Sequence, residues 1–197
     1  MMHGLINRSI QCFIGDTYGP QAWIAIADAA HVAPDGFEAM LTYDDPVSYA
    51  VLDAAALRLS RSPESILEDL GTYLVSHPNT EPLRRLLRFG GVTFVEFLHS
   101  LDDLQGRGRM AVPDLDLPAL ELVENTPDRF TLHCRSANPG LGHVIVGVLR
   151  AMADDYGALA MLDHQGTRDG VDLIAIDLLD QSFAEGRRFE LARESVS

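Results

Sequence analysis

Three pairs of adjacent aspartates could carry out acid–base chemistry. These pairs are Asp44/Asp45, Asp102/Asp103 and Asp154/Asp155. Two carboxylates that face one substrate can act as the acid and the base of a hydrolysis reaction. Neighbouring residues of a helix, however, point about 100° apart, and Asp45 is predicted to cap a helix. The pairs therefore do not predict a catalytic site.

The histidines and cysteines do not have the spacing of metal ligands. The spacings HxxxH, HExxH and CxxC are absent from the sequence. His133 and Cys134 are neighbours on a predicted strand and face opposite sides of it, so they cannot bind one ion together without distortion. A phosphate-binding glycine loop and a nucleophile elbow are also absent. The sequence predicts neither a zinc site nor a recognisable enzyme active site.

The composition excludes several classes of partner. The chain has 15 basic and 29 acidic residues and a formal net charge of −14, which disfavours binding to nucleic acid or to an anionic membrane. No stretch approaches the roughly 18 uninterrupted apolar residues that a transmembrane helix needs. The two cysteines lie far apart, and the opening "MMHGLINRS" does not resemble an export signal. These features predict a cytoplasmic protein.

The first two thirds of the chain show the periodicity of helices. A proline directly follows a capping residue at Asp45 and at Ser62, which marks two helix starts. Two more helices are predicted at about 79–89 and 92–105. The arginines of "LRRLLRFGG" alternate with leucines and are predicted to lie on a solvated helix face.

The last third changes to the two-residue alternation of strands. One hairpin is predicted from "ALELVEN" and "RFTLHCRS", and a second from "LAMLDHQ" and "GVDLIAIDLLD", with a long amphipathic helix between them. The predicted fold class is α+β, a helical N-terminal half followed by a small antiparallel sheet with an inserted long helix. We expect one domain over 1–185, helical to about 65 and α+β over about 66–185. A charged tail follows at 186–197.

Gln105 is unusual for its place on the predicted helix 92–105. Its amide points at the middle of the apolar stripe, within roughly 20 to 40° of three apolar residues. These residues are Phe94, Leu98 and Leu101. Two glycines follow, Gly106 and Gly108, and are predicted to end the helix. A buried amide needs a hydrogen-bond partner, so Gln105 either bonds across a closed interior or lines a pocket.

Four segments of the chain together resemble the H-NOX family, the heme-nitric oxide/oxygen binding domains. They are "MHGLINRSIQCFIGDTYG", "LRRLLRFGGVTFVEFLHSLDDL", "MAVPDLDLPALELVE" and "LHCRSANPGLGHVIVGVL". The similarity covers about residues 2–180, in the same order and with few gaps. It implies heme b held between a helical N-terminal part and an α+β C-terminal part. It also implies a nitric oxide-sensing role without enzymatic activity, as in bacterial members.

Two signatures hold heme in that family, and both are altered here. The axial histidine follows a segment like "SLDDL", which places Gln105 at the axial-ligand position. A Tyr-x-Ser-x-Arg pattern clamps the heme propionates and falls on "CRSAN", so that Cys134, Ser136 and Asn138 take its three positions. Only the serine is retained. By the same resemblance, the pocket wall includes Pro118, Ile6 and Val144.

These altered signatures leave three functions open. The first is a stand-alone sensory domain whose pocket holds heme without a protein histidine, or holds another tetrapyrrole or apolar ligand. The second is a ligand-free protein interaction module with a collapsed pocket. The third is a heme-based sensor with a substitute iron ligand, for which His143 is the best placed. The resemblance implies a separate histidine kinase or diguanylate cyclase as the partner.

Overall fold

The computed structural model describes residues 2–111 and 117–180. The predicted charged tail at 186–197 lies outside the described residues. Eight α-helices are described. They are α1 (Gly4–Tyr18), α2 (Pro20–Ala29), α3 (Asp45–Leu59), α4 (Pro63–Ser76), α5 (Glu81–Arg88), α6 (Phe94–His99), α7 (Leu104–Ala111) and α8 (Leu141–Tyr156). No helix within these ranges is long and apolar enough to cross a lipid bilayer.

The capping residue was predicted correctly at one of the two helix starts. The hydroxyl of Ser62 accepts the backbone N–H of Ser65 over 3.2 Å, which confirms Ser62 as the cap of α4. The prediction was one residue off at α3, where Asp44 is the capping residue and Asp45 is the first helical residue. Asp44 makes no side-chain capping bond, so proline in the first turn remains the stronger signal at this start.

The predicted helix 92–105 is interrupted and runs further than expected. Between α6 and α7 the chain forms a 3₁₀ turn, Ser100–Asp103. The prediction that Gly106 and Gly108 end the helix was wrong, since both lie inside α7. A Cβ on Gly108 would overlap a δ-methyl group of Leu117. Glycine is therefore used at 108 for close packing rather than for chain termination.

The strands form two antiparallel sheets. A two-stranded sheet joins β1 (Met2–His3) to β2 (Thr42–Tyr43) and was not predicted. The four-stranded sheet has the order β3-β4-β6-β5 and confirms both hairpins and the α+β class. Its strands are β3 (Ala119–Thr126), β4 (Arg129–Arg135), β5 (Leu159–Arg168) and β6 (Val171–Asp180).

Helix α8 contributes to two apolar cores. One core lies between the helix and the four-stranded sheet, where Leu132, Leu149 and Ile174 are fully buried. The other lies among the N-terminal helices and includes the fully buried Ile14. Val144, in the first turns of α8, belongs to this second core. One helix thus supplies apolar side chains to both halves of the domain.

Helices α4 and α8 touch backbone to backbone. A Cβ on Gly71 would overlap the carbonyl oxygen of Val144, and a Cβ on Gly147 would overlap the carbonyl oxygen of Glu68. The hydroxyl of Thr72 also donates to the carbonyl oxygen of Gly147 over 3.4 Å. Any larger side chain at either glycine would force the helices apart.

Arg84 is not on a solvated face, contrary to the sequence prediction. Its guanidinium forms a two-pronged ion pair with Asp155 of α8, with Nη2 3.0 Å from Oδ1. The side chains of Arg84 and Asp155 are only 14% and 4% exposed. Arg88 lies 4.0 Å above the ring of Tyr156. Arg85, with 55% side-chain exposure, does lie on the solvent side.

We expect Gly71→Ala to lower the free energy of unfolding by about 1–3 kcal/mol, because the added methyl group strains the contact between α4 and α8. Gly15→Ala in α1 is the matched control, since a Cβ there meets nothing within 4 Å. We expect that control to be neutral or stabilising by up to about 1 kcal/mol. Urea unfolding followed by circular dichroism measures both. An equal response of the two variants would contradict the close helix contact.

We expect Arg84→Ala to destabilise the fold by about 3–5 kcal/mol, because it leaves Asp155 buried without its ion partner. Arg85→Ala removes an exposed arginine of the same helix and should change stability by about 0.5 kcal/mol or less. Urea unfolding at constant pH gives both values. Similar losses in the two variants would show that the ion pair has no special role.

Candidate functional site

Gln105, at the predicted axial position, already has a partner within the chain. It lies in the first turn of α7 and is half-buried. Its Nε2 donates a hydrogen bond to the carbonyl oxygen of Leu117 over 2.9 Å. The adjoining 3₁₀ turn makes a second bond to the same region, since the carboxylate of Asp102 accepts the N–H of Leu122 over 3.0 Å. These two bonds tie α7 to the residue before Pro118 and the 3₁₀ turn to β3.

The predicted wall residues occupy different surroundings. Pro118 is buried directly after Leu117. Ile6 is half-buried on α1. Val144 is 7% exposed and packs in the helical core, with its carbonyl oxygen against Gly71. The main chain at Val144 is thus in contact with α4.

The three predicted clamp positions provide no positive charge. Cys134 is 1% exposed, and burial, with a smaller effect of Asp172, raises the pKa of its thiol from 9.0 to about 12. The hydroxyl of Ser136 accepts the backbone N–H of Asn138 over 3.0 Å, within the turn that precedes α8. Asn138 offers only a neutral amide. A neutral thiol, a hydroxyl and an amide are therefore the polar groups at these positions.

Asp172 lies beside the predicted clamp position Cys134 and was not identified from the sequence. It is the cross-strand partner of Cys134 and is only 9% exposed. Its Oδ2 accepts the N–H of Gly142 over 3.1 Å, and its Oδ1 accepts the hydroxyl of Thr167. A Cβ on Gly142 would overlap this carboxylate. The available signal was the alternation of β6, in which Asp172 stands in phase with the inward-facing Ile174.

His143, the predicted substitute ligand, is engaged by two neighbours. Its ring stacks on that of His164 with the centroids 4.0 Å apart. Its Nδ1 lies 3.4 Å from Oε1 of Glu68 on α4. The N–H of Gly166 donates to Nδ1 of His164 over 3.2 Å, so neutral His164 carries its proton on Nε2. This Nε2 is buried and lacks a hydrogen bond, although Asp172 Oδ1 is 3.5 Å away.

A cleft of about 310 Å³ adjoins the histidine pair. It is lined by residues of α3, α4, the start of α8, β5 and β6, including Tyr49, Glu64, His143, His164 and Asp172. A second groove of about 530 Å³ runs between α2 and α3. The first cleft is lined by His143, the predicted substitute ligand, but neither cavity is lined by Gln105 or by the predicted clamp and wall positions. Within residues 2–111 and 117–180, no three His, Cys, Asp or Glu side chains converge as a metal site.

We expect the free energy of unfolding to fall as the pH rises from about 9 towards 12. The thiol of Cys134 ionises near pH 9.0 in the unfolded chain but only near 12 in the folded protein, so rising pH favours the unfolded state. Urea unfolding across this range should show a smaller decline for Cys134→Ala, with Cys12→Ala as the control for loss of a thiol. Identical pH dependence of wild type and Cys134→Ala would contradict this.

The chain is similar to known sensor proteins over most of its length. The family described as Haem-NO-binding matches residues 3–161. Soluble guanylate cyclase gcy-31 of Caenorhabditis elegans is 25% identical over 154 residues, 78% of this chain. The match covers 22% of the cyclase, so the chain spans about a fifth of this relative's length.

Solved structures show the same fold. The Fe(II) unliganded H-NOX protein from K. algicida has a TM-score of 0.75 at 16% identity, over 96% of this chain and 100% of that one. An H-NOX protein from S. oneidensis in the Fe(II)NO ligation state has a TM-score of 0.74 at 16% identity, over 91% and 100%. Because the family match covers most of the sequence, the chain belongs to the Haem-NO-binding, or H-NOX, family of sensor domains.

Proposed function

We propose that this chain is an H-NOX-type sensory domain that does not bind heme through a protein imidazole. The hydrogen bond between Gln105 and the carbonyl oxygen of Leu117 carries this proposal. A carboxamide offers iron only a weak oxygen donor, whereas a neutral imidazole nitrogen is a good ligand. The amide nitrogen of Gln105 already donates a hydrogen bond to the chain before β3, which holds α7 in place.

The residues at the proposed clamp do not suit a heme propionate. An arginine would pair with a carboxylate through two charged hydrogen bonds, but Asn138 carries no charge. The Cys134 thiol is buried and neutral, and the Ser136 hydroxyl bonds to its own turn. Each lost charge-assisted contact costs on the order of 1.5–3 kcal/mol of affinity. Any ligand of this pocket is therefore held by its apolar surface.

A second candidate function is a ligand-free interaction module. The backbone contact of Gly71 with Val144 favours it, because Val144 belongs to the proposed pocket wall and its main chain is already against α4. In a ligand-free module of this kind, side chains fill the interior and the surface binds the signalling partner.

The proposed partner is a separate signalling enzyme, a histidine kinase or a diguanylate cyclase. A net charge of −14 disfavours nucleic acid and anionic membranes as targets, which leaves a protein as the receiver of the signal. We propose no catalytic activity for the chain itself. The carboxylate of Asp155 neutralises Arg84, and that of Asp102 accepts a backbone N–H.

The test adds hemin to purified wild type and to Gln105→His, followed by reduction and resonance Raman spectroscopy. We expect no iron–histidine stretching band in the wild type, because Gln105 cannot supply an imidazole. Gln105→His should acquire this band and bind heme more tightly. Gln165 is exposed on β5, so Gln165→His is the control for non-specific binding of heme iron by an added surface histidine.

An iron–histidine band in the wild type would contradict the proposal. Its loss in His143→Ala would then identify His143 as a substitute ligand. If neither wild type nor Gln105→His takes up heme, the closed interaction module becomes the better account.

A further inference from the structure

A buried carboxylate, that of Asp172, lies beside the proposed clamp position Cys134. We propose that Asp172 occupies the anionic position there, so that the pocket rejects porphyrins with free propionates and selects apolar ligands without an acidic group. This inference rests on the proposed function and specifies the chemistry of its ligand.

The position of Asp172 follows from strand pairing. Asp172 on β6 is directly opposite Cys134 on β4, so both side chains project from the same face of the sheet, and both are buried. The negative charge of Asp172 contributes to the raised pKa of the Cys134 thiol. A second carboxylate that reached Cys134 would therefore meet the same charge.

Two hydrogen-bond donors in this region are already used by Asp172. The N–H of Gly142, in the first turn of α8, donates to one oxygen of the carboxylate, and the hydroxyl of Thr167 donates to the other. The start of a helix is a favourable place for an anion, and Asp172 fills it from within the chain. The glycine at 142 permits this approach, since a Cβ would overlap the carboxylate.

Among the described residues, no lysine or arginine lines the cleft beside Asp172. The acidic side chains that line this cleft are Asp53, Glu64 and Asp172, and its basic side chains are the imidazoles of His143 and His164. Glu68, which contacts His143, is itself paired with Arg150 over 3.0 Å. Two carboxylates that share one site cannot both ionise without a large cost. A propionate would therefore enter only against electrostatic repulsion.

The experiment uses metal-free protoporphyrin IX and its dimethyl ester, whose propionates are esterified and neutral. Dissociation constants are measured from porphyrin fluorescence for wild type, Asp172→Asn and Asp163→Asn. Asp163 is exposed on β5 and is the matched control for loss of one negative charge. Circular dichroism establishes that each variant is folded.

We expect wild type and Asp163→Asn to bind the ester at least about tenfold more tightly than the free acid. Repulsion between one propionate and the carboxylate of Asp172 would produce a difference of this size. In Asp172→Asn this preference should fall to about twofold or less, because the like charge is gone. Binding of the free acid should rise accordingly.

Equal affinity of the wild type for the two porphyrins would overturn the inference, even if Asp172→Asn failed to fold. An unchanged preference for the ester in Asp172→Asn would overturn it as well. So would a failure of both wild type and Asp172→Asn to bind either porphyrin. These probes contain no iron, so the result is independent of ligation at residue 105. A failure here is thus distinguishable from a failure of the proposed function.

Discussion

The contact between α4 and α8 determines the geometry of the whole domain. Gly71 and Gly147 let the two backbones touch, and this fixes α8 against the helical half while its other face packs on the sheet. The first turn of α8 is then held in place, with Gly142 against Asp172 and His143 against Glu68. The polar arrangement near the clamp therefore depends on a contact made without any side chain.

The sequence predicts those parts of this arrangement that depend on neighbours along the chain. The cap at Ser62 and both hairpins are local patterns, and they were located correctly. Asp45 was placed one residue away from the true cap because two aspartates precede the proline. The sheet formed by β1 and β2 has two residues in each strand, too few for a periodicity to show.

The remaining features depend on residues distant in sequence. Gly106 and Gly108 indicate a helix end by propensity, yet close packing of Leu117 on Gly108 accounts for a glycine inside α7. The local sequence predicts Arg84 on the surface, whereas in the fold it pairs with Asp155 of α8. Asp172 interrupts an apolar alternation on β6, and this was a usable signal, but its donors on α8 and β5 could not be identified without the fold.

Three polar side chains around the proposed heme site already form hydrogen bonds within the chain. Gln105 bonds to Leu117, Ser136 to Asn138, and Asp172 to Gly142 and Thr167. A cofactor that required these groups would have to break such bonds, each with a net value of about 0.5–1.5 kcal/mol, before gaining its own. An apolar ligand breaks none of them, because it needs only surface to bury. The same residues that weaken heme binding thus leave room for a different ligand or for none, while the H-NOX fold is retained.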